Sequence, residues 1–205
     1  MQPQLDLIDV KVDDLVNSCQ EDIEFRLPKL TWVKYMNDAI MDLYSILFIE
    51  ADATLTRPEG QSYFELPKDF KQLYMVKVTD KEYQHFDIGS SKDYDYNFAN
   101  ADSNGTYNIF NGKLTVTNYT ELTLPIKYFR KPAFLKGTVT NERVDVPNEY
   151  IEAIRLYACA KAMLSEDETE RYQSFMALYN SKKTQLSSYS NRYRPERELY
   201  WKVRR

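Results

Sequence analysis

The apolar residues of this chain follow a helical period at both ends and a strand-like period in the middle. Near the start, apolar residues recur every three or four positions at Val12, Leu15, Val16, Cys19 and Ile23. From Leu73 to Val78, and again from Thr123 to Phe129, the pattern is that of short strands. A helix buries a stripe and a strand buries one face, so the chain must combine helices and a sheet in separate segments.

The boundary residues of the apolar stripes predict where three helices begin and end. The first is expected to stop at Leu27-Pro28, because the residue before a proline is unfavourable in a helix. The second is predicted to have Thr31 as its N-cap and to run to about Ile49. The third opens at Pro147, which a first helical turn tolerates, and continues to Leu164.

A fourth helix is predicted from Ser165-Glu166-Asp167-Glu168, which reads as a capping box with Ser165 as N-cap. Its apolar stripe consists of Tyr172, Phe175, Met176, Tyr179 and Leu186. Because the connection to the preceding helix is so short, the two helices are expected to form an antiparallel hairpin. The polar run from Ser187 to Asn191 is predicted to be a hinge.

The middle of the chain carries hairpin and loop signals. Asn111-Gly112 separates two short strands, Tyr107 to Phe110 and Leu114 to Thr117, and suits the positive backbone angles of a type I′ turn. Pro125 inside a later strand favours an edge position or a bulge. The stretch from Asp87 to Asn104 is rich in Ser, Asp, Asn and Tyr and is expected to be a long surface loop.

We therefore predict an α+β fold, in which a helical bundle with an antiparallel helix hairpin is interrupted by an antiparallel β insertion and followed by an extended C-terminal tail. The predicted boundaries are 1–50 and 140–190 for the helical bundle, 51–139 for the β insertion, and 191–205 for a basic aromatic tail. At 205 residues, the chain is long enough to bury a core.

The residue types on which many enzymes depend are scarce. The chain has five glycines, one histidine and two cysteines, whereas phosphate loops, histidine bases and zinc sites need them. Gly89-Ser90-Ser91-Lys92 lacks the glycines of a phosphate loop, and His85 has no recognisable partner motif. We therefore expect no enzyme activity, with no catalytic residue, cofactor or metal. A carboxylate-dependent hydrolase would require two acids in one apolar pocket.

Cysteine usage and targeting patterns indicate a reducing compartment. Cys19 and Cys159 lie far apart, without a neighbouring cysteine or histidine, and are predicted to be buried free thiols. Residues 1–10 lack a secretory pattern, and no stretch approaches the roughly 20 apolar residues of a membrane span. We expect a protein made in the cytoplasm, with no membrane partner.

The C-terminal segment differs from the rest of the chain in charge. Between Arg192 and Arg205 six basic and two acidic residues give a net charge of +4, which leaves −8 on the remainder. Ordering fourteen residues costs on the order of 14 to 28 kcal/mol, whereas one large buried aromatic returns roughly 4 to 6 kcal/mol. The tail is therefore predicted to become ordered only along a partner. Its candidate contact residues are Tyr193, Arg194, Arg197, Tyr200, Trp201, Arg204 and Arg205.

Aromatic content points to interfaces as well. Seventeen tyrosines suit surfaces that a partner buries and that are wet at the rim. Those in and beside the polar loop either pack the insertion's own sheet or face another subunit. They are Tyr94, Tyr96, Phe98 and Tyr107.

The order of these elements resembles the head-to-tail adaptor proteins of tailed bacteriophages, the connector rings that sit beneath the portal. The resemblance covers about residues 10 to 190. It rests on Asn37-Asp38-Ala39-Ile40 in the helix led by Trp32, Leu66-Pro67-Lys68-Asp69-Phe70, Asn111-Gly112, Tyr128-Phe129-Arg130-Lys131-Pro132, Val144-Asp145-Val146-Pro147-Asn148-Glu149-Tyr150 and Tyr157-Ala158-Cys159-Ala160-Lys161-Ala162.

The resemblance implies a structural virion protein at the portal vertex, in the neck of the tail. Its subunits would form a ring, usually twelvefold, that joins head to tail and lets DNA pass to the host. The implied partners are the portal protein, neighbouring copies and the next tail component, with DNA crossing the lumen without specific binding. The seven tail residues named above then become portal-docking candidates, because family members often extend their C-terminus against the portal. The β insertion would contact the next tail component or a neighbouring subunit.

A second function remains open on the residues alone. A basic tail that carries tyrosines and a tryptophan would also suit a nucleic-acid-binding module, in which phosphate neutralisation and base stacking supply the affinity. Binding to DNA that weakens steeply with salt would favour this alternative over the adaptor.

Overall fold

The computed structural model describes residues 10–24, 26–78, 81–82, 84–85, 106–116 and 119–190. These residues contain four helices, α1 (Val12–Glu21), α2 (Lys29–Leu43), α3 (Asn148–Ser165) and α4 (Thr169–Ser190). The strands are β1 (Ile49–Thr56), β2 (Tyr63–Glu65), β3 (Phe70–Val78), β4 (Lys81–Glu82), β5 (Gln84–His85), β6 (Thr106–Phe110), β7 (Lys113–Val116) and β8 (Thr123–Arg130). Helices and two small sheets together confirm the α+β class.

The chain forms two compact units. One consists of the described residues up to Ile49 and from Pro132 onward, and the other of Glu50–Lys131. The first unit contains the four helices around one apolar core, and the second contains a core of its own between strand residues such as Phe64, Leu114 and Leu124. Leu135, beyond the last strand, packs into the helical core.

Helix α3 is the centre of the helical unit. It packs against α1, α2 and α4, and it is therefore buried nearly all round instead of along one stripe. Small residues such as Ala153, Ala158 and Ala162 are fully buried and let neighbouring helices approach closely. Tyr150 lies near its start and donates a hydrogen bond from its hydroxyl to the carbonyl of Ile46 at 2.5 Å.

The predicted ends of the second helix are wrong. Thr31 does not cap α2. The helix begins at Lys29 and has the extended Pro28 as its N-cap residue, whose carbonyl accepts a bond from the Thr31 amide. A proline already supplies the extended entry and leaves a threonine cap without a role. The helix ends at Leu43, and Ile49 instead opens β1.

The predicted capping box is also wrong. Ser165 is the last residue of α3, and its hydroxyl donates to the carbonyl of Ala162. The chain then turns through Asp167, whose φ is +61°, while the amide of Glu168 bonds back to the carbonyl of Met163. Backbone groups thus close the end of α3, and α4 begins only at Thr169. The predicted hinge is wrong from residue 187 to residue 190, because α4 continues to Ser190.

The described residues of the second unit form two four-stranded sheets, in the orders β1-β8-β3-β4 and β2-β7-β6-β5. The predicted hairpin is confirmed, since β6 and β7 pair antiparallel across Asn111 and Gly112, whose φ angles are +48° and +72°. One pair, β5 with β6, is parallel, whereas the sequence predicted an antiparallel insertion. The predicted surface loop from Asp87 to Asn104 lies outside the described residues.

Pro125 does not mark an edge strand. Strand β8 lies between β1 and β3, so the edge alternative is wrong. Its ladder with β3 runs from Ile126 to Arg130 and leaves the proline, which has no N–H, outside it. The register of this pair does shift, between Phe70 and Gln72 and again between Leu73 and Met75.

Candidate interaction surfaces

A segment that follows β8 is fixed to the outer side of α2 by the Asn37 side chain. The Asn37 amide nitrogen donates to the carbonyl of Leu135 at 2.9 Å, and its amide oxygen accepts from the Leu135 N–H at 2.9 Å. One side chain thus satisfies both backbone groups of one residue 98 positions away. Because both bonds need the same orientation, they hold the segment in one conformation.

The carboxylate of Glu142 fixes the other end of the same segment. It accepts hydrogen bonds from the backbone N–H groups of Lys136 and Gly137, at 2.7 and 2.6 Å. Hydrogen bonds to a charged acceptor are among the stronger ones in proteins. Residues 135–137 are therefore held at both ends by side chains.

Three exposed apolar side chains lie next to this segment or on the helix face that carries Asn37. Leu30 and Met41 lie on α2 at positions that share a helix face with Asn37, and Phe134 precedes the doubly bonded Leu135. Their exposed fractions are 60%, 55% and 54%. We call Leu30, Met41 and Phe134 the α2 patch. A rigid apolar surface of this kind loses little conformational entropy when a partner covers it.

The sheet unit also exposes two large apolar side chains. Phe110, at the start of the β6–β7 turn, is 77% exposed, and Leu122 is 69% exposed. The loop with Leu122 is held by Tyr119, whose hydroxyl donates to the carbonyl of Thr123. The Arg57 guanidinium donates to the Tyr119 carbonyl at 2.6 Å and lies over the ring of Phe64.

A polar cluster joins α2 to α4 next to Met41. The Asp42 carboxylate accepts hydrogen bonds from the hydroxyl of Tyr179 and from Lys183 Nζ, the latter at 2.6 Å. Burial alone would raise the pKa of Asp42, but the bonds from Lys183 and Tyr179 outweigh it and lower the pKa. Burial and the bond to Asp42 raise the pKa of Tyr179. The cluster therefore favours charged Asp42 and a neutral, donating Tyr179 at neutral pH.

Most of the contact residues predicted from the sequence are not among the described residues. Tyr193, Arg194, Arg197, Tyr200, Trp201, Arg204 and Arg205 lie outside the described residues, as do Tyr94, Tyr96 and Phe98. Tyr107 is half-buried and packs against the core of the sheet unit, and burial raises its pKa to about 12. For this tyrosine, the alternative of packing within the insertion is the one observed.

Sequence reasoning missed the α2 patch. Exposed leucines and phenylalanines are common, so Leu30 or Phe134 alone carries no signal. What distinguishes them is the pair of side-chain bonds that hold the loop beside them, and Asn37 is 98 positions from Leu135. A partial signal existed, because Leu30 and Met41 lie outside the apolar stripe of their helix.

Neither a metal-binding cluster nor a membrane-spanning helix occurs in the part of the chain that the structure describes. There, no group of three or more His, Cys, Asp and Glu side chains is arranged to hold a metal ion. Within the same residues, no helix combines the length and the apolar character that crossing a membrane requires.

Comparison with known proteins identifies the family. The model of the family described as SU10 adaptor protein matches residues 4–199, and no curated protein matches the chain. The matched region includes the helices, the sheets and most of the basic tail, and the family supports the predicted resemblance to phage adaptors and a place in the virion. The chain belongs to the SU10 adaptor protein family, a family of phage head–tail adaptors.

Proposed function

We propose that this chain is the repeating subunit of an adaptor ring that sits beneath the portal, joins the head to the tail and leaves a passage for DNA. The family match over residues 4–199 is the observation that carries the proposal. The ring is proposed to be twelvefold, in keeping with the family resemblance, and the subunit acts as a structural element without enzymatic activity. Its remaining partner is the next tail component.

The exposed apolar side chains support assembly with copies of the same chain. A closed ring uses heterologous contacts, so each subunit needs two different adhesive faces. The α2 patch offers one such surface on the helical unit, and Phe110 with Leu122 offers exposed apolar side chains on the sheet unit. Side chains of this size, exposed on a helix, at a strand end and on loops, are suited to fill pockets on a neighbour.

The C-terminal tail is proposed as the portal-docking element. Its +4 net charge and its tyrosines and tryptophan suit an interface in which arginine and aromatic side chains supply most of the affinity. The proposed contacts are Tyr193, Arg194, Arg197, Tyr200, Trp201, Arg204 and Arg205. The acidic remainder, at −8, would favour a lumen that does not retain passing DNA.

Deleting residues 191–205 tests the docking proposal. The truncated chain should keep the circular dichroism spectrum and melting temperature of the full chain and lose binding to the portal protein. Native mass measurement of each chain, alone and mixed with portal, gives both readouts. Portal binding by the truncated chain at full-length affinity would refute the assignment of the tail.

Charged substitutions test the self-assembly surface. Leu30→Asp and Phe134→Asp place a charge in the α2 patch and should prevent ring formation while leaving a folded subunit, since both side chains are more than half exposed. Asn180→Asp adds the same charge at an exposed position of α4 and serves as the matched control. Rings formed equally well by all three variants would exclude the α2 patch as a subunit contact.

The nucleic-acid alternative rests on the same tail and is separated by its salt dependence. Titrating the full chain with duplex and single-stranded DNA at several salt concentrations should detect no specific binding if the protein is an adaptor. A steep fall of log affinity with log salt, removed by deleting residues 191–205, would instead establish a nucleic-acid-binding arm.

A further inference from the structure

The two cysteines of the chain meet in the core of the helical unit. Cys19 lies on α1 and Cys159 on α3, 140 positions apart, and both side chains are fully buried. The thiol of Cys159 donates a hydrogen bond to the backbone carbonyl of Cys19, with 3.9 Å between sulfur and oxygen, so the two cysteines are in contact. The full sequence contains only these two cysteines, so every thiol of the protein is in this one contact.

Charged groups line the edge of the thiol pair. The carboxylate of Asp22 is 3.9 Å from the sulfur of Cys159 and forms an ion pair with Arg155. The same guanidinium binds Glu152 through two hydrogen bonds, at 2.8 and 2.9 Å. Arg171, on α4, donates to the backbone carbonyl of Asp22 at 3.3 Å. This network fixes the end of α1 against α3 and leaves the sulfurs on its inner side.

The pair is chemically asymmetric. The neighbouring thiol of Cys19 lowers the pKa of Cys159, with a further lowering by Arg155, against the opposing effect of burial. The neighbouring thiol of Cys159, together with burial, raises the pKa of Cys19. Cys159 is therefore the thiol that more readily provides the thiolate, which is the nucleophile in thiol–disulfide exchange.

We propose that Cys19 and Cys159 form a site of oxidative modification, at which a low-molecular-weight disulfide converts the two thiols into an intramolecular disulfide between α1 and α3. In the first step, the Cys159 thiolate attacks the small disulfide and releases one small thiolate. The sulfur of Cys19 then attacks the mixed disulfide at Cys159 and releases the second. The two cysteine protons pass to the two released thiolates, and the two electrons lost by the cysteines reduce the small disulfide.

The cross-link would act on the weakest attachment of the helical unit. Helix α1 has ten residues, and isolated helices shorter than about 12 residues are marginal in water. It is therefore stable only through its packing on the other helices. A disulfide that joins residues 140 positions apart restricts the unfolded chain strongly and prevents α1 from detaching.

The timing of the reaction, though not its chemistry, rests on the proposed function. A virion subunit assembles in a reducing cytoplasm and later leaves the cell, so it meets an oxidising medium only after assembly. Because both thiols are buried in the folded subunit, a small disulfide reaches them only when α1 opens locally, so the disulfide would form in the released particle through that opening. Portal binding and disulfide formation are measured separately, so either proposal can fail while the other stands.

The experiment is oxidative refolding of the full chain. The reduced, denatured protein is diluted into a buffer of oxidised and reduced glutathione, in which burial does not limit access to the thiols. We expect a monomer lighter by about 2 Da, a single Cys19–Cys159 cross-linked peptide in the non-reducing map, and an unchanged circular dichroism spectrum. Its melting temperature should exceed that of the reduced protein by roughly 5 to 10 °C.

Two variants provide the controls. Cys19→Ala and Cys159→Ala each leave one thiol, so oxidation should not raise their melting temperatures. The proposal is overturned if the wild-type chain refolds with two free thiols, with glutathione adducts or with intermolecular disulfides. It is equally overturned if the intramolecular disulfide forms but the helical spectrum is lost or the melting temperature falls, because the cross-link would then not fit the native packing. None of these readouts depends on the portal.

Discussion

Replacing Gly137 by alanine tests whether the segment beside the α2 patch is held as tightly as its contacts indicate. Gly137 has a φ of +70°, in the left-handed region, and an added Cβ would lie 2.9 Å from Val33 Cγ2 and 3.1 Å from Leu30 Cδ2. Leu30 is exposed and can rotate away. Val33 is buried and β-branched, so its side chain has almost no alternative rotamer in a helix. The segment itself would have to move, against the bonds from Asn37 and Glu142.

The expected cost has two parts. A non-glycine residue in the left-handed region costs about 1 to 2 kcal/mol. Forcing a methyl group into packed surroundings adds typically 1 to 3 kcal/mol. The sum of roughly 2 to 5 kcal/mol corresponds to a fall in melting temperature of about 4 to 20 °C for a chain of this size.

Gly60→Ala is the matched control, because Gly60 has a φ of +71° and no atom within 4 Å of its added Cβ. It should show the backbone cost alone, about 1 to 2 kcal/mol. Thermal and urea unfolding, followed by circular dichroism, measure both variants. If Gly137→Ala is no less stable than Gly60→Ala, then the segment is not pressed against Val33, and the argument for a rigid α2 patch fails.

Two further changes test the helical core. Asp42→Asn should lower stability at pH 7 by roughly 1 kcal/mol, a value reduced because the carboxylate is partly exposed. The lowered pKa of Asp42 means that its contribution is complete above the ordinary value of 3.8 and is lost as the pH falls below it, so wild type and variant should converge in acid unfolding curves. A constant difference down to pH 2 would contradict the ion-pair explanation. Tyr150→Phe removes the donor to the buried Ile46 carbonyl and should cost about 1 to 3 kcal/mol in urea unfolding. A wild-type midpoint for this variant would show that the carbonyl finds another donor.

Local sequence patterns were sufficient for the types of element and for one turn. The apolar period distinguished α1, α3 and α4 from the strands, because a 3.6-residue stripe and a two-residue alternation are properties of consecutive residues. Asn111-Gly112 predicted its hairpin because few other residues accept two successive positive φ angles. Strand β1 was missed, although Ala51, Ala53 and Leu55 alternate with polar residues, because the preceding helical stripe was extended through Ile49.

The exact ends of the helices could not be predicted from the preferences of single residues. Thr31 and Ser165 are both good N-caps in isolation, yet Pro28 opens α2, and backbone bonds to Met163 close α3. Pro125 lies in an interior strand because the neighbouring ladder begins one residue later. At Thr31 and Ser165, backbone groups already make the hydrogen bonds that a side-chain cap would have supplied.

The order of helical and strand segments, the burial of both thiols and the likeness to phage adaptors followed from the chain read residue by residue, because each depends on composition or on neighbours a few positions apart. The meeting of Cys19 with Cys159, of Asn37 with Leu135 and of Asp42 with Tyr179 did not, since these pairs are 98 to 140 positions apart. Such contacts arise when helices pack, and packing depends on the shapes of all the buried side chains together. The α2 patch and the thiol site are therefore products of the tertiary fold.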